Sequence, residues 1–512
     1  MLKIWIEKHF WLLLIGIFIF AFLTRIYRID SVKEYIFDEV YHALTAKLIR
    51  RSDPRAFEWW NPAVEPNTAV DWLHPPLAKY TQALGMDVFG ENSFGWRISS
   101  VVFGVMVIAM VAAITQTVFK SKPLTLLATG LASLDGLLLV QSRIAMNDIH
   151  VTFFILLTIL AYYKYKTTEV PLKQKWLWIT GIAVGLAIGS KWSGYFLLWT
   201  VWMLEIWFRI VAPEKKRSKL QAFQKILILV VVPLCIYLLS YTQMFMEGKT
   251  LICTGSQSLQ GSCYCSQTHS LWVTQLEKLS GDHANSWGKL EERGGCARLI
   301  SHFSELHNQI IYYQTHLKAT HDYQSRPWQW FLDLRPVWMY VKYEGTNSAN
   351  IYAQGNPLLF WAGDLSIFVT IGVLALFLFR TLQSSMKKIK PGRGSLAQRV
   401  ASVSRSFAHT SDLTTSQGKL WYILLMYAIV WVPWTLSPRI MFFYHYTPAV
   451  PLLSILLAYW LRKVWFTMYG QIIVAVTVLL IVITFIMFYP NWTAMQVPAE
   501  LTKLYSLIKS WR

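Results

Sequence analysis

Residues 470–489 run for twenty positions without a charged side chain. As a helix rising about 1.5 Å per residue, such a segment matches the roughly 30 Å hydrocarbon core of a bilayer, and few other settings accept it. Ten further stretches are long and apolar enough to be read in the same way, giving eleven predicted spans at about 10–27, 97–118, 124–141, 149–165, 176–190, 193–211, 225–245, 357–380, 419–436, 441–461 and 470–489. Only 15% of the 512 residues are charged, against about a quarter in soluble domains. The fold class this predicts is an all-α polytopic membrane protein.

The net charge of +20 could suggest nucleic acid, but the Lys and Arg fall in short loops between spans. There they read as a topology signal and as attraction to anionic lipid, and no nucleic-acid partner is expected. With the N-terminus in the cytoplasm, the inner loops would be 119–123, 166–175, 212–224, 381–418 and 462–469, and every one is basic. The predicted location is therefore the plasma membrane, multi-pass, N-terminus inside and C-terminus outside. The first span follows Lys3 and Lys8 without a small-residue cleavage site before Arg25, and reads as an uncleaved signal anchor.

Three regions follow from this layout: 1–245 with seven spans and an outer loop 28–96, 246–356 as a second outer loop, and 357–512 with four spans. Residues 381–418, rich in Ser, Arg and Lys, read as a flexible basic linker. Four of the five cysteines (Cys253, Cys263, Cys265, Cys296) lie in the second outer loop, where disulfides are permitted and three pairings are open. Cys235 is expected to be a buried apolar residue.

Polar residues cluster at the outer ends of the spans, where they are expensive to bury. In "FDEVYHALTAKL", Val40, Ala43, Leu44, Lys47 and Leu48 share a helical face, which predicts an amphipathic helix on the outer surface with Asp38 and Glu39 at its start. Those acids could cap the helix, or line a cavity at the bilayer edge. "DWLHPPLAKY" holds His74 and Lys79 near a proline-started helix. Arg97 stands at the mouth of the second span, where snorkelling competes with function. Arg143 and Asp148 share a short outer connection, Lys191 sits in the turn "SKWSG", and Arg439 and His445 lie at the outer end of the tenth span. Arg97, Arg143, Lys191 and Arg439 call for an anion, and a lipid phosphate is the natural one at this depth. Asp38 and Glu39 could supply a base for an attacking hydroxyl.

The motifs "FDEVYH", "HPPLAK", "FGWRISSVVFG", "SRIAMNDI", "KWSG", "SRPWQW", "GNPLLFWAG" and "FYHYTPAVPLL" occur in that order between residue 36 and about 453. In them the chain resembles the protein O-mannosyltransferase family of GT-C glycosyltransferases, and its short second outer loop resembles the bacterial type. The resemblance implies inverting transfer of mannose from a polyprenyl-phosphate-mannose donor to Ser or Thr hydroxyls of a translocating polypeptide near the translocon. It implies Asp38 as catalytic base with Glu39 beside it, and Arg97 as a donor-phosphate ligand, with Arg143, Lys191 and Arg439 as further basic positions. His74, Lys79, Asp148 and His445 remain other site candidates. No metal ligand set is identified; the donor's phosphate already leaves well, though a divalent ion stays open. Residues 251–300 match nothing in the family and read as an insertion, with an interfacial helix following at about 303–318. Two alternatives stand beside this reading: a polyprenyl-phosphate-sugar enzyme acting on lipid A, polysaccharide or lipid, and a flippase of lipid-linked sugars.

Overall fold

The structure, a computed structural model, describes residues 2–58, 63–169, 171–211, 219–247, 250–251, 290–291, 295–316, 319–387, 396–506 and 508–511. Most of it is helix. α1 (Leu2–Ile26), α2 (Glu39–Arg50), α3 (Leu77–Phe89), α4 (Ser93–Phe119), α5 (Lys122–Ser133), α6 (Gly136–Gln141), α7 (Asp148–Thr167), α8 (Leu172–Ser190) and α9 (Tyr195–Val211) form the first half.

Seven helical segments among the described residues are long and apolar enough to cross a membrane: Ile4–Ile26, Ser93–Phe119, Trp192–Val211, Leu220–Ser240, Pro357–Lys387, Ser416–Leu436 and Gly470–Trp492. The other four expected spans are also helical but differ in kind. The third is broken at Leu134–Asp135 into α5 and α6, and α7, α8 and Val450–Val464 are the remaining three. α7 and Val450–Val464 bury most of their side chains inside the protein.

Helices α2, α3 and α4 pack in sequence, and α4 packs on α7, which packs on α8. α3 and α4 approach closely where Gly85 meets Gly95: a Cβ on Gly85 would stand 2.4 Å from the Gly95 carbonyl oxygen. Small residues permit such crossings. α4 begins cleanly because the Asn92 side chain accepts from the Phe94 and Gly95 amides, at 3.0 Å each.

Three expectations need correction. α2 is no surface helix: His42, Ala43, Leu44, Thr45, Ala46, Leu48 and Ile49 are all buried, and α3 packs against it. The 381–418 segment is not simply a linker, since Leu396–Thr410 is a helix packed on Pro357–Lys387. Its buried Ser402, Ser406 and Thr410 recur every fourth residue, and Ser406 reaches Ser385 at 3.2 Å. Cys235 is exposed on the outer surface of its helix. A small sheet accompanies the helices of this mostly helical fold. Val337–Glu344 and Asn347–Ala353 form an antiparallel hairpin, joined by Val497–Pro498 at its edge. Gly345, at φ 59°, supplies the positive φ of its two-residue turn. Where the sequence predicts a helix at about 303–318, one runs over Gly295–His316. Residues 252–289 and 292–294 of the insertion, with Cys253, Cys263 and Cys265, lie outside what is described, and Cys296 falls in the Gly295–His316 helix.

Candidate active site

The start of α2 sends its two acids in opposite directions. Glu39 is fully buried and accepts from Arg97 Nε (2.8 Å) and Nη2 (2.7 Å), from the Ile36 amide (2.9 Å) and from the Ala145 amide (2.8 Å). Arg97 spends its remaining donors on the carbonyls of Ile29 (3.0 Å), Val32 (2.6 Å) and Glu34 (2.9 Å). All five N–H groups of the guanidinium are thus engaged. This pair locks α4 to the start of α2 and to the segment before it, and neither residue borders the cavity that Asp38 faces.

Asp38 occupies the N-cap position of α2, yet its side chain makes no capping bond. It faces instead a cavity of about 1070 Å³, bordered also by His42, Asp71, His74, Lys191, Arg439 and Tyr444. Tyr444 donates to Asp38 Oδ2 at 3.2 Å. Burial pushes the Asp38 carboxyl above its ordinary range, with His42 and Lys191 opposing. The preceding Phe37 has φ 49°, a strained backbone for a bulky residue. Aromatic contacts hold it there, with Phe442 at 6.2 Å and Tyr444 at 5.9 Å between ring centroids.

The four expected cations divide evenly. Lys191 and Arg439 border the cavity; Arg97 and Arg143 do not. Arg143 donates to the carbonyls of Thr24 (3.2 Å), Arg25 (2.7 Å) and Tyr27 (2.8 Å), closing the C-terminus of α1. Lys191 contacts both oxygens of Asp148, at 2.7 and 2.8 Å, so the two form a neutral pair at the cavity wall. The turn after Lys191 needs Gly194, where a Cβ would stand 2.4 Å from the Ala187 carbonyl carbon. Arg439 donates to Gln314 of the 295–316 helix and has no carboxylate partner among the described residues. His445 borders the cavity with its ring stacked on Trp330, and its Nδ1 lies 2.9 Å from the Phe442 carbonyl.

His74 and Lys79 meet at a residue not singled out from sequence, Asp71. Burial alone would raise this carboxyl, but Lys79, His74 and His42 outweigh it and hold it well below the usual range. The sign follows directly. Asp71 contributes stability above the ordinary carboxylate pKa of about 3.9, and loses it as pH falls through its lower folded value. Asp71→Asn is expected to lower stability by about 2–3 kcal/mol, because Lys79 stays buried without its counter-charge; a thermal unfolding midpoint checks this. Asp71, His42, Tyr444 and Gln314 are the site residues that sequence reasoning passed over. Spacing held a signal for two of them: His42 follows Asp38 by one helical turn, and Asp71 precedes His74 by three residues.

Fold and site together define a class: a multi-span membrane protein whose polar chemistry converges on one cleft beside its helix ends. Residues 15–247 match the family model of dolichyl-phosphate-mannose-protein mannosyltransferase, and residues 299–511 match that of the C-terminal four-transmembrane region of protein-O-mannosyltransferase. The chain belongs to the protein O-mannosyltransferase family. It is similar to the polyprenol-phosphate-mannose–protein mannosyltransferase of Corynebacterium glutamicum, at 25% identity over 96% of this chain and 92% of that one. Its counterpart in Mycobacterium tuberculosis is 21% identical over 98% and 92%. Among solved structures, the S. cerevisiae protein O-mannosyltransferase complex bound to the sugar donor contains a chain matching with a TM-score of 0.67, 16% identity and coverage of 98% and 93%. The oligosaccharyltransferase of Archaeoglobus fulgidus matches at a TM-score of 0.50 and 12% identity, over 96% of this chain and 56% of that one. At such identities the likeness to solved structures is one of fold.

Proposed function

We propose that the chain transfers mannose from a polyprenyl-phosphate-mannose donor to Ser or Thr hydroxyls of polypeptides, on the non-cytoplasmic side of the membrane. The observation that carries this reading is that Asp38 and Arg439, a carboxylate without a salt bridge and a guanidinium without a carboxylate among the described residues, border one cavity. The named relatives above support the donor and acceptor classes.

In this reading the acceptor oxygen attacks the anomeric carbon as Asp38 takes its proton. The bond from that carbon to the phosphate oxygen breaks, and the polyprenyl phosphate leaves with one added negative charge. Attack opposite the leaving group inverts the configuration. Arg439 stabilises the charge as it develops, with Lys191 beside it, which favours the transition state over the bound donor. Exposed Leu436, which borders the same cavity as Arg439, gives the polyprenyl chain an apolar surface to follow. Arg97 and Glu39 act as positioning residues that fix the start of α2, and through it Asp38.

The test is incubation of membranes containing the protein with labelled polyprenyl-phosphate mannose and a Thr-rich peptide. Labelled peptide supports the proposal; label passing only to lipid or polysaccharide, or no turnover at all, overturns it. Arg439→Ala is expected to raise the donor KM about 10-fold or more, as loss of a charged hydrogen bond to phosphate does. A donor KM equal to wild type would remove Arg439 from the phosphate site. The pH profile follows from Asp38. Only its ionised form accepts a proton, and its pKa is raised. The rate is therefore expected to fall on the acid side at a pH above the ordinary carboxylate range of about 3.9, measured as kcat against pH.

A further inference from the structure

Part of the cavity wall is built from imidazoles. His42 Nδ1 lies 2.7 Å from Asp71 Oδ2, and His74 Nδ1 lies 2.9 Å from Oδ1. Lys79, buried, stands 2.9 Å from Oδ2 and donates to the carbonyls of Asp71 (2.5 Å) and His74 (2.9 Å). An ionised carboxylate can only accept, so each Nδ1 carries its hydrogen. In a neutral imidazole this tautomer leaves a lone pair on Nε2. Burial holds His74 neutral, with its pKa pulled down to about 4 against the opposing pull of Asp71. Both rings border the cavity beside Asp38, and His42 stands one turn along α2 from it.

A glycosyl donor brings hydroxyl hydrogens that need acceptors. Lys191 and Arg439 offer only donors, and Asp38 is reserved for the acceptor's proton. We infer that His42 and His74 form a sugar-reading wall, each accepting at Nε2 a hydrogen bond from a hydroxyl of the donor's hexose, with Asp71 and Lys79 as positioning residues that fix the tautomer. The inference rests on the mannosyl-transfer reading and deepens it. The same three groups, His42, Asp71 and His74, bring ligand atoms within 4.8 Å of one another and could hold a divalent cation. Lys79 argues for the sugar, because its ammonium already neutralises Asp71 and would repel a second cation there.

Steady-state kinetics with polyprenyl-phosphate mannose and its 2-, 3-, 4- and 6-deoxy analogues tests the wall. Wild type is expected to lose about 10–100-fold in kcat/KM with at least one analogue, since a site that bonds a hydroxyl is left unpaired without it. His42→Phe and His74→Phe are expected to lose a similar factor with mannose. Each should lose nothing further with the one analogue lacking its own hydroxyl, and His74→Gln, which keeps an acceptor, should recover part. Losses that add fully on every analogue, or variants equal to wild type with mannose, overturn the inference. So does wild-type activity abolished by a chelator and restored by Mn²⁺. Should a Phe variant fail to fold, the analogue series on wild type and His74→Gln decides. Wild type that moves no mannose to peptide overturns the underlying function, a result distinct from transfer without hydroxyl discrimination.

Discussion

Asp38→Asn is expected to reduce mannosyl transfer by about 10²–10⁴-fold, the range a positioned general base contributes, while leaving the unfolding midpoint close to wild type. The structural reason is that the Asp38 side chain supports nothing else. It makes no cap on α2, forms no ion pair among the described residues, and receives one hydrogen bond, from Tyr444 at 3.2 Å. An amide of the same shape keeps that contact and removes only the proton acceptor. Donor affinity, measured by binding without peptide, should stay within a few-fold of wild type. Transfer within 10-fold of wild type would mean that another group takes the proton, and His42 would be the first to examine.

The second large effect is of a different kind. Arg97→Ala is expected to destabilise the protein by about 3–5 kcal/mol, the cost of leaving Glu39 charged and unpaired in the interior. Three backbone carbonyls, of Ile29, Val32 and Glu34, lose their donor as well. The measurement is the unfolding midpoint of the purified protein in detergent, with Glu39→Gln read beside it. Removing both charges, as Arg97→Met with Glu39→Leu, should recover part of the loss, because no unpaired ion remains. In whatever fraction of Arg97→Lys folds, the donor KM should match wild type. A selective rise in that KM with an unchanged midpoint would return Arg97 to the phosphate site.

These two results separate what the sequence could say from what it could not. Hydrophobic run length predicted helices over all eleven stretches, since an uninterrupted apolar segment has few alternatives in lipid. Run length could not tell a lipid-facing helix from one enclosed by its neighbours, which is why α7 and Val450–Val464 look like the others in sequence. The hairpin at 337–353 was legible in principle, as alternating Val337, Met339 and Val341 before Glu344–Gly345. Aromatic density in that stretch masked it. At the site, residue type announced that acids and arginines gather at one end of the helices. Direction was hidden. Adjacent residues at a helix start diverge by about 100° in α geometry, and nothing local says which of Asp38 and Glu39 turns inward. Arg97 and Arg143 carried the same charge signal as Arg439, yet they serve carbonyls and a carboxylate. A guanidinium satisfies a frayed helix end as readily as a phosphate.

The opposite headings of Asp38 and Glu39 mean that the order of the dipeptide matters more than its composition. Glu39→Asp shortens a strut by one methylene and withdraws the anchor from α4. Asp38→Glu extends the proposed base by the same length into the cavity it faces. A chain with the letters exchanged would keep its charge, its helix start and its hydropathy, and carry two separate injuries, one to assembly and one to turnover. Substitution scores that treat the two acids as near-synonyms will rank such a variant as mild, and thermal and kinetic data on the exchanged pair should disagree with them on both counts.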